Sequence, residues 1–88
     1  MAWTVSFEPR AFTELKKLDA RAREQIVRFL QTAPSGDINP RTQGKALHGD
    51  KAGLWRYRIG SYRVVCRIED AAKTVLVLRV AHRKEVYR

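Results

Sequence analysis

Alternating and helical hydrophobic periods along these 88 residues predict an α+β fold: an N-terminal strand, a helical hairpin and a three-stranded antiparallel meander packed on the helices. Three features carry that expectation. Leu54 to Arg67 alternates residue by residue around a two-residue turn, two apolar stripes at helical spacing precede it, and an apolar run at Thr74–Ala81 follows it. The length supports one modest core and not two, so residues 1–88 are expected to form a single domain.

The hairpin organises the rest. In L-W-R-Y-R-I-G-S-Y-R-V-V-C-R, Trp55, Tyr57 and Ile59 share one face with Tyr62, Val64, Cys66 and Ile68, while Arg56, Arg58, Arg63 and Arg67 take the other. Gly60-Ser61 suits a type II′ turn, which pairs Ile59 with Tyr62 and sets Arg58 opposite Arg63. Like charges directly opposite destabilise a sheet by roughly 0.2–1 kcal/mol, so their placement points to an anion between them.

In chain order, large apolar residues at Trp3, Val5 and Phe7 read as a short strand, and Glu8-Pro9 stops it. Pro9 opens a helix of about ten residues carrying Ala11, Phe12, Leu15 and Leu18. Asp19 caps a second helix over Ala20–Thr32, whose stripe is Ala22, Ile26, Phe29 and Leu30. Glu14 is spaced to meet Lys17, and Glu24 to meet Arg28. Residues 33–53 are rich in breakers and predict a long connection, anchored by Leu47, with Lys45, His48 and Lys51 turned to a partner.

The register of the last strand depends on the turn before it. An odd loop of Ala71-Ala72-Lys73 places Leu76, Leu78 and Val80 on the core face and leaves Val75, Val77, Arg79 and Arg83 with the arginines; an even loop buries Arg79. The odd loop is the expectation. His82 to Arg88 is too short and charged for a core element and reads as a tail beside the sheet.

Charge follows this plan. Of the net +9, +2 lies in residues 1–44 and +7 in residues 45–88, so the excess sits with the sheet and implies a polyanionic partner, nucleic acid first. No membrane-length apolar run and no signal-peptide core follows Met1, and the single Cys66 rules out a disulfide framework, so a reducing cytoplasmic location is expected. Cys66 reads as a small buried hydrophobe.

Arg56, Arg58, Arg63, Arg67, Arg79 and Arg83 on one surface suit phosphate: guanidinium binds phosphate oxygens in pairs, keeps its charge, and stabilises charge developing in a transition state. His48 and His82 lack partners at metal-ligand spacing, no glycine-rich phosphate loop is present, and no Ser-His-Asp set or carboxylate dyad can be drawn. No metal and no cofactor is therefore expected. Metal-free phosphodiester chemistry remains, with the 2′-hydroxyl of RNA attacking its own phosphate.

The order of elements, the stretch L-W-R-Y-R-I-G-S-Y-R-V-V-C-R-I and the ending V-A-H-R-K-E-V-Y resemble the RelE/ParE toxin superfamily over essentially the whole chain, and the RelE branch most. The resemblance implies a RelE-like, microbial-RNase-like fold. It further implies a type II toxin–antitoxin toxin that cleaves messenger RNA in the ribosomal decoding site and inhibits translation. A RelB-like antitoxin would block it in a complex that binds its own operator DNA. Carried onto this sequence, the catalytic set is Arg56, Arg58, Arg63, His82, Arg83 and Tyr87, and the RNA- and ribosome-binding set is Lys45, Lys51, Arg67, Arg79, Lys84 and Arg88. Arg56, Arg58 and Arg63 would hold the scissile phosphate, Arg83 would assist the leaving oxygen, and Tyr87 would stack on or orient the base. Family members often carry lysine at one or both of the first two positions, whereas arginine, with a pKa of about 12.5–13.8, is a poor base. His82 is then either the proton shuttle or, because strand alternation points it to the core, a structural histidine. A ParE-like toxin that poisons DNA gyrase without nuclease activity is the first alternative, and a nucleic-acid-binding module with no activity of its own is the second.

Overall fold

The computed structural model describes residues 2–32 and 38–82. Strand β1 (Thr4–Phe7) turns at Glu8 into helix α1 (Pro9–Lys16), and helix α2 (Ala20–Thr32) follows after a short turn. Pro9 occupies the first helical turn, where its missing N–H costs nothing. Asp19 caps α2 by accepting the backbone N–H of Ala22 at 2.8 Å. Strands β2 (Lys45–Ala46), β3 (Trp55–Ile59), β4 (Tyr62–Glu69) and β5 (Thr74–His82) complete the chain.

The strands form one sheet in the order β1-β5-β4-β3-β2, with β1 parallel to β5 and the other neighbours antiparallel. Both helices pack on one face. Ala11, Leu15, Ile26 and Leu30 meet Tyr57, Ile59, Val64, Cys66, Val75, Val77 and Val80 there. Burial raises the Cys66 thiol to about 12, so it stays protonated and acts as a small apolar filler.

The hairpin has the predicted register, with Ile59 opposite Tyr62 and Arg58 opposite Arg63. Gly60 takes φ 60 while Ser61 is not among the described residues with positive φ, as a type II′ turn requires.

The register of β5 differs from the expectation. Glu69 pairs with Thr74 across an even, four-residue turn, in which Lys73 adopts φ 49, so Val75 and Val77 enter the core and Leu76 lies opposite Arg67. A bulge opposite Val65/Cys66 then absorbs one residue, and beyond it Arg79 pairs with Val65 and Val80 with Val64, which returns Val80 to the core as expected. One extra residue in β5 thus keeps valines inside on both sides of the irregularity.

The bulge coincides with the end of β1, which pairs with β5 only as far as Val77. Glu14 of α1 takes over the exposed edge: its carboxylate accepts the Val80 N–H at 2.8 Å and the Arg79 Nε at 3.0 Å. Arg10 also approaches Glu14, at 3.9 Å, so the expected pairing with Lys17 is replaced. The other predicted helical pair, Glu24 with Arg28, is present at 2.7 Å.

The connection before β3 is more ordered than its composition suggests. It holds β2 and two short 3₁₀ turns, at Pro40–Thr42 and Gly49–Lys51. The Tyr57 hydroxyl donates to the Pro40 carbonyl at 2.5 Å, Trp55 Nε1 donates to the Gln43 carbonyl at 2.7 Å, and Leu47 is buried. Burial pushes the Tyr57 phenol well above its ordinary range, so it remains a donor. Arg41 makes a bidentate pair with Asp70 in the β4–β5 turn, both contacts 2.9 Å.

That clamp depends on pH. The hydrogen bond from Arg41 holds Asp70 below its ordinary 3.8, so the contribution is present above that value and is lost as pH falls through the depressed one. The difference in melting temperature between the parent and Asp70→Asn is expected to be open at neutral pH and closed in acid; a constant gap would show that the charge pair contributes nothing.

Candidate functional site

The second face of the sheet carries the arginines, and β2 adds to it. Lys45 pairs with Arg56 as Arg58 pairs with Arg63, so two like-charged cross-strand pairs stand side by side. Each costs roughly 0.2–1 kcal/mol without a counter-ion. Arg56 is half-buried and its Nε is enclosed without a hydrogen-bond partner among the described residues, whereas Arg58 is exposed. Between the charges, Leu47, Val65 and Ala81 bury one another with Leu54 at the margin. This small second core fixes the strands behind the basic side chains and accounts for the apolar residues on this face.

Two clefts open beside these residues. Lys45, Leu47, His48, Asp50, Lys51 and Arg56 line one of about 500 Å³. Gly44, Lys45, Arg56, Tyr57 and Arg58 line the other, of about 240 Å³, with Phe29 of α2 on its far side. Lys45 and Arg56 belong to both. An anionic backbone seated there meets lysine and arginine from two strands and one loop.

Gly44 makes this approach possible. It has φ 84, and a Cβ built on it collides with the Arg56 carbonyl oxygen and lies 2.5 Å from Trp55 Nε1. The turn into β2 therefore needs the missing side chain twice, for conformation and for space. Nothing in the sequence except the glycine itself marked this contact.

Of the residues singled out from the sequence, Lys45, Lys51, Arg56 and Arg58 line this pair of clefts, and Arg63 stands across from Arg58. Arg67 is exposed farther along β4, opposite Leu76. Arg79 lies opposite Val65 but directs its guanidinium to Glu14, which matches much of its charge. His82 is set apart from the arginines. It pairs with Tyr62, its ring 5.7 Å from the tyrosine ring, and borders a cleft with Glu14, Lys17 and Leu18 on the helix side. Arg83, Lys84, Tyr87 and Arg88 lie outside the described residues.

Two helices against a five-stranded mixed sheet give the fold of the RelE toxins, and no helix among the described residues is long and apolar enough to cross a membrane. The chain belongs to the RelE/ParE family of type II toxin–antitoxin toxins: the family described as "ParE toxin of type II toxin-antitoxin system, parDE" matches residues 5–87. Toxin RelG of Mycobacterium tuberculosis is 39% identical over 90 residues, which cover 100% of this chain and 99% of the relative. Toxin RelE of the same organism is 42% identical over 86 residues, covering 96% of this chain and 84% of the relative. Among solved structures, the toxin–antitoxin complex RelBE2 from M. tuberculosis superposes with a TM-score of 0.85 at 36% identity, over 97% of this chain and 95% of that one. A mutant of E. coli RelE in complex with an antitoxin RelB peptide gives 0.76 at 28% identity, over 99% and 92%.

Proposed function

We propose that this toxin is a ribosome-dependent endoribonuclease that cuts messenger RNA in the decoding site by attack of a 2′-hydroxyl on the adjacent phosphate. The observation that carries the reading is the pair of like-charged cross-strand couples, Lys45–Arg56 and Arg58–Arg63, around an enclosed Arg56 Nε. An anion placed between like charges relieves their repulsion, so such a face favours a phosphate. In the reaction the 2′-hydroxyl gives its proton to solvent water as the 2′-oxygen–phosphorus bond forms, and the 5′-oxygen takes a proton from water as its bond to phosphorus breaks, leaving a cyclic phosphate and a free 5′-hydroxyl. Arg56, Arg58 and Arg63 hold the non-bridging oxygens and neutralise the charge that builds on them. Arg83 assists the leaving oxygen, and Tyr87 orients the base. The arginines serve as donors and not as the proton acceptor. His82, on the helix side with Tyr62, is better explained as a structural contact at the end of β5 than as the shuttle.

The partners of this reading are the ribosome, the messenger and a RelB-like antitoxin. The solved complexes of RelBE2 and of E. coli RelE with a RelB peptide support the last of these. An acidic antitoxin segment laid on the basic face would neutralise the pairs that otherwise bind phosphate, and the complex would remain able to bind operator DNA.

Poisoning of DNA gyrase is the second reading, favoured by the parDE description of the matched family. Primer extension on a defined messenger, with and without programmed ribosomes, separates the two. Cuts that need ribosomes and disappear in Arg83→Ala support the interferase and its terminal arginine. Absence of cuts with folded protein, together with gyrase capture and DNA-damage signalling, supports the poison.

A further inference from the structure

Helix α2 and the β3–β4 hairpin border an open cleft of about 810 Å³, the size of a site for a small ligand or a few linked groups. Arg21, Arg28 and Arg58 line it, and Gln25 lies against Gly60 at the hairpin turn. Arg58 and Phe29 also line the smaller cleft in front of Lys45 and Arg56, so the two are continuous along the edge of β3. That edge is open because β2 pairs only with Trp55 and Arg56.

The cleft is basic. Its one acid, Glu24, is held by Arg28 in an exposed pair at 2.7 Å, which contributes little and yields readily to a stronger anion. Arg21 and Arg28 are seven residues apart on the helix, about 10 Å along its axis, and so present two separated cations on one side of α2. Phe29 is half-buried, its ring tilted 5.4 Å from that of Tyr57, at the junction of the two clefts. Spaced cations leading past an aromatic ring are the elements with which proteins hold a single strand: phosphates on the cations, a base on the ring.

We infer that the cleft between α2 and the β3–β4 hairpin is a track for the single-stranded RNA flanking the cut, with Arg21 and Arg28 on its phosphates and Phe29 against a base. The track rests on the nuclease reading for its connection to the cut, but binding to it is measured without cleavage. Single-stranded RNAs carrying 2′-O-methyl groups, one of about four nucleotides and one of about twelve, are titrated by fluorescence anisotropy over a range of salt. The parent is expected to bind the longer RNA about tenfold more tightly, the shorter one reaching only the site at Arg56 and Arg63. The double variant Arg21→Gln/Arg28→Gln loses that gain and keeps its affinity for the short RNA, and its salt slope on the long RNA falls by about 1.4, two phosphates at about 0.7 each.

Both positions are exposed, so folding of the variant is checked by its melting temperature. A variant that keeps the length dependence overturns the track, as does one that weakens both RNAs equally. A variant that binds RNA like the parent but loses affinity for the antitoxin assigns the cleft to the protein partner and overturns it too. Length-dependent binding without ribosome-dependent cuts defeats the nuclease reading and leaves the track standing.

Discussion

Arg63→Ala is expected to lower messenger cleavage on the ribosome by about 10²–10³-fold, the usual cost of removing one preorganised donor from a developing oxyanion. The same variant folds. Arg63 stands opposite Arg58 on the face away from the helical core, so its removal also removes a like-charge contact, and the fold is expected to survive it. Activity and stability thus part company, which a residue needed only for packing could not produce. Parallel measurements of cut yield by primer extension and of unfolding midpoint in urea decide the matter. Undiminished cleavage, or a loss of activity matched by a loss of structure, would remove Arg63 from the site.

Gly44→Ala is expected to be the most disruptive single change in the connection before β3. Alanine at φ 84 is strained, and its Cβ meets a carbonyl oxygen and an indole nitrogen that are themselves engaged in the sheet and in the bond to Gln43. Strain and overpacking together cost roughly 2–6 kcal/mol if the backbone stays in place. If it moves instead, Lys45 leaves its position beside Arg56, and both clefts open. Equilibrium unfolding and the salt dependence of RNA binding report the two outcomes, lower stability or a smaller salt slope. A variant identical to the parent in both would mean that the close approach at Gly44 is dispensable.

The hairpin was legible because its information is local. A two-residue turn with glycine first dictates which residues face each other, and alternation dictates the face, so the Arg58–Arg63 opposition followed from residues 54–67 alone. Helix α2 was equally plain, with a capping aspartate at one end and an apolar stripe along its length. The last strand was not. Whether its valines or its leucines entered the core depended on the four-residue turn before it and on a bulge, which falls where β1 ends and Glu14 of another element takes over the edge.

The basic site divides in the same way. Arg56, Arg58 and Arg63 could be placed together from the pleat, since side chains two apart share a face whatever the surroundings. Lys45 could be named as a partner-facing residue, but its pairing with Arg56 needed β2, a two-residue strand too short to show a period. Arg79 and His82 show the converse. Both lie in β5 near the arginines in sequence, yet one is drawn to Glu14 and the other sits with Tyr62, because side chains at the end of a strand answer to whatever packs beside it.

By itself the sequence determined the α+β class, the hairpin register, the basic character of one sheet face and the membership suggested by L-W-R-Y-R-I-G-S-Y-R and H-R-K-E-V-Y. The tertiary structure decided the place of β1 beside β5, the bulge, the return of residues 38–54 along the sheet, and the clefts that join α2 to the arginines. Local patterns act through the bonding of near neighbours and are read from any short window. Contacts between distant segments depend on which of several compatible pairings buries the most apolar surface while leaving the fewest backbone groups unbonded, and that comparison exists only in the folded chain.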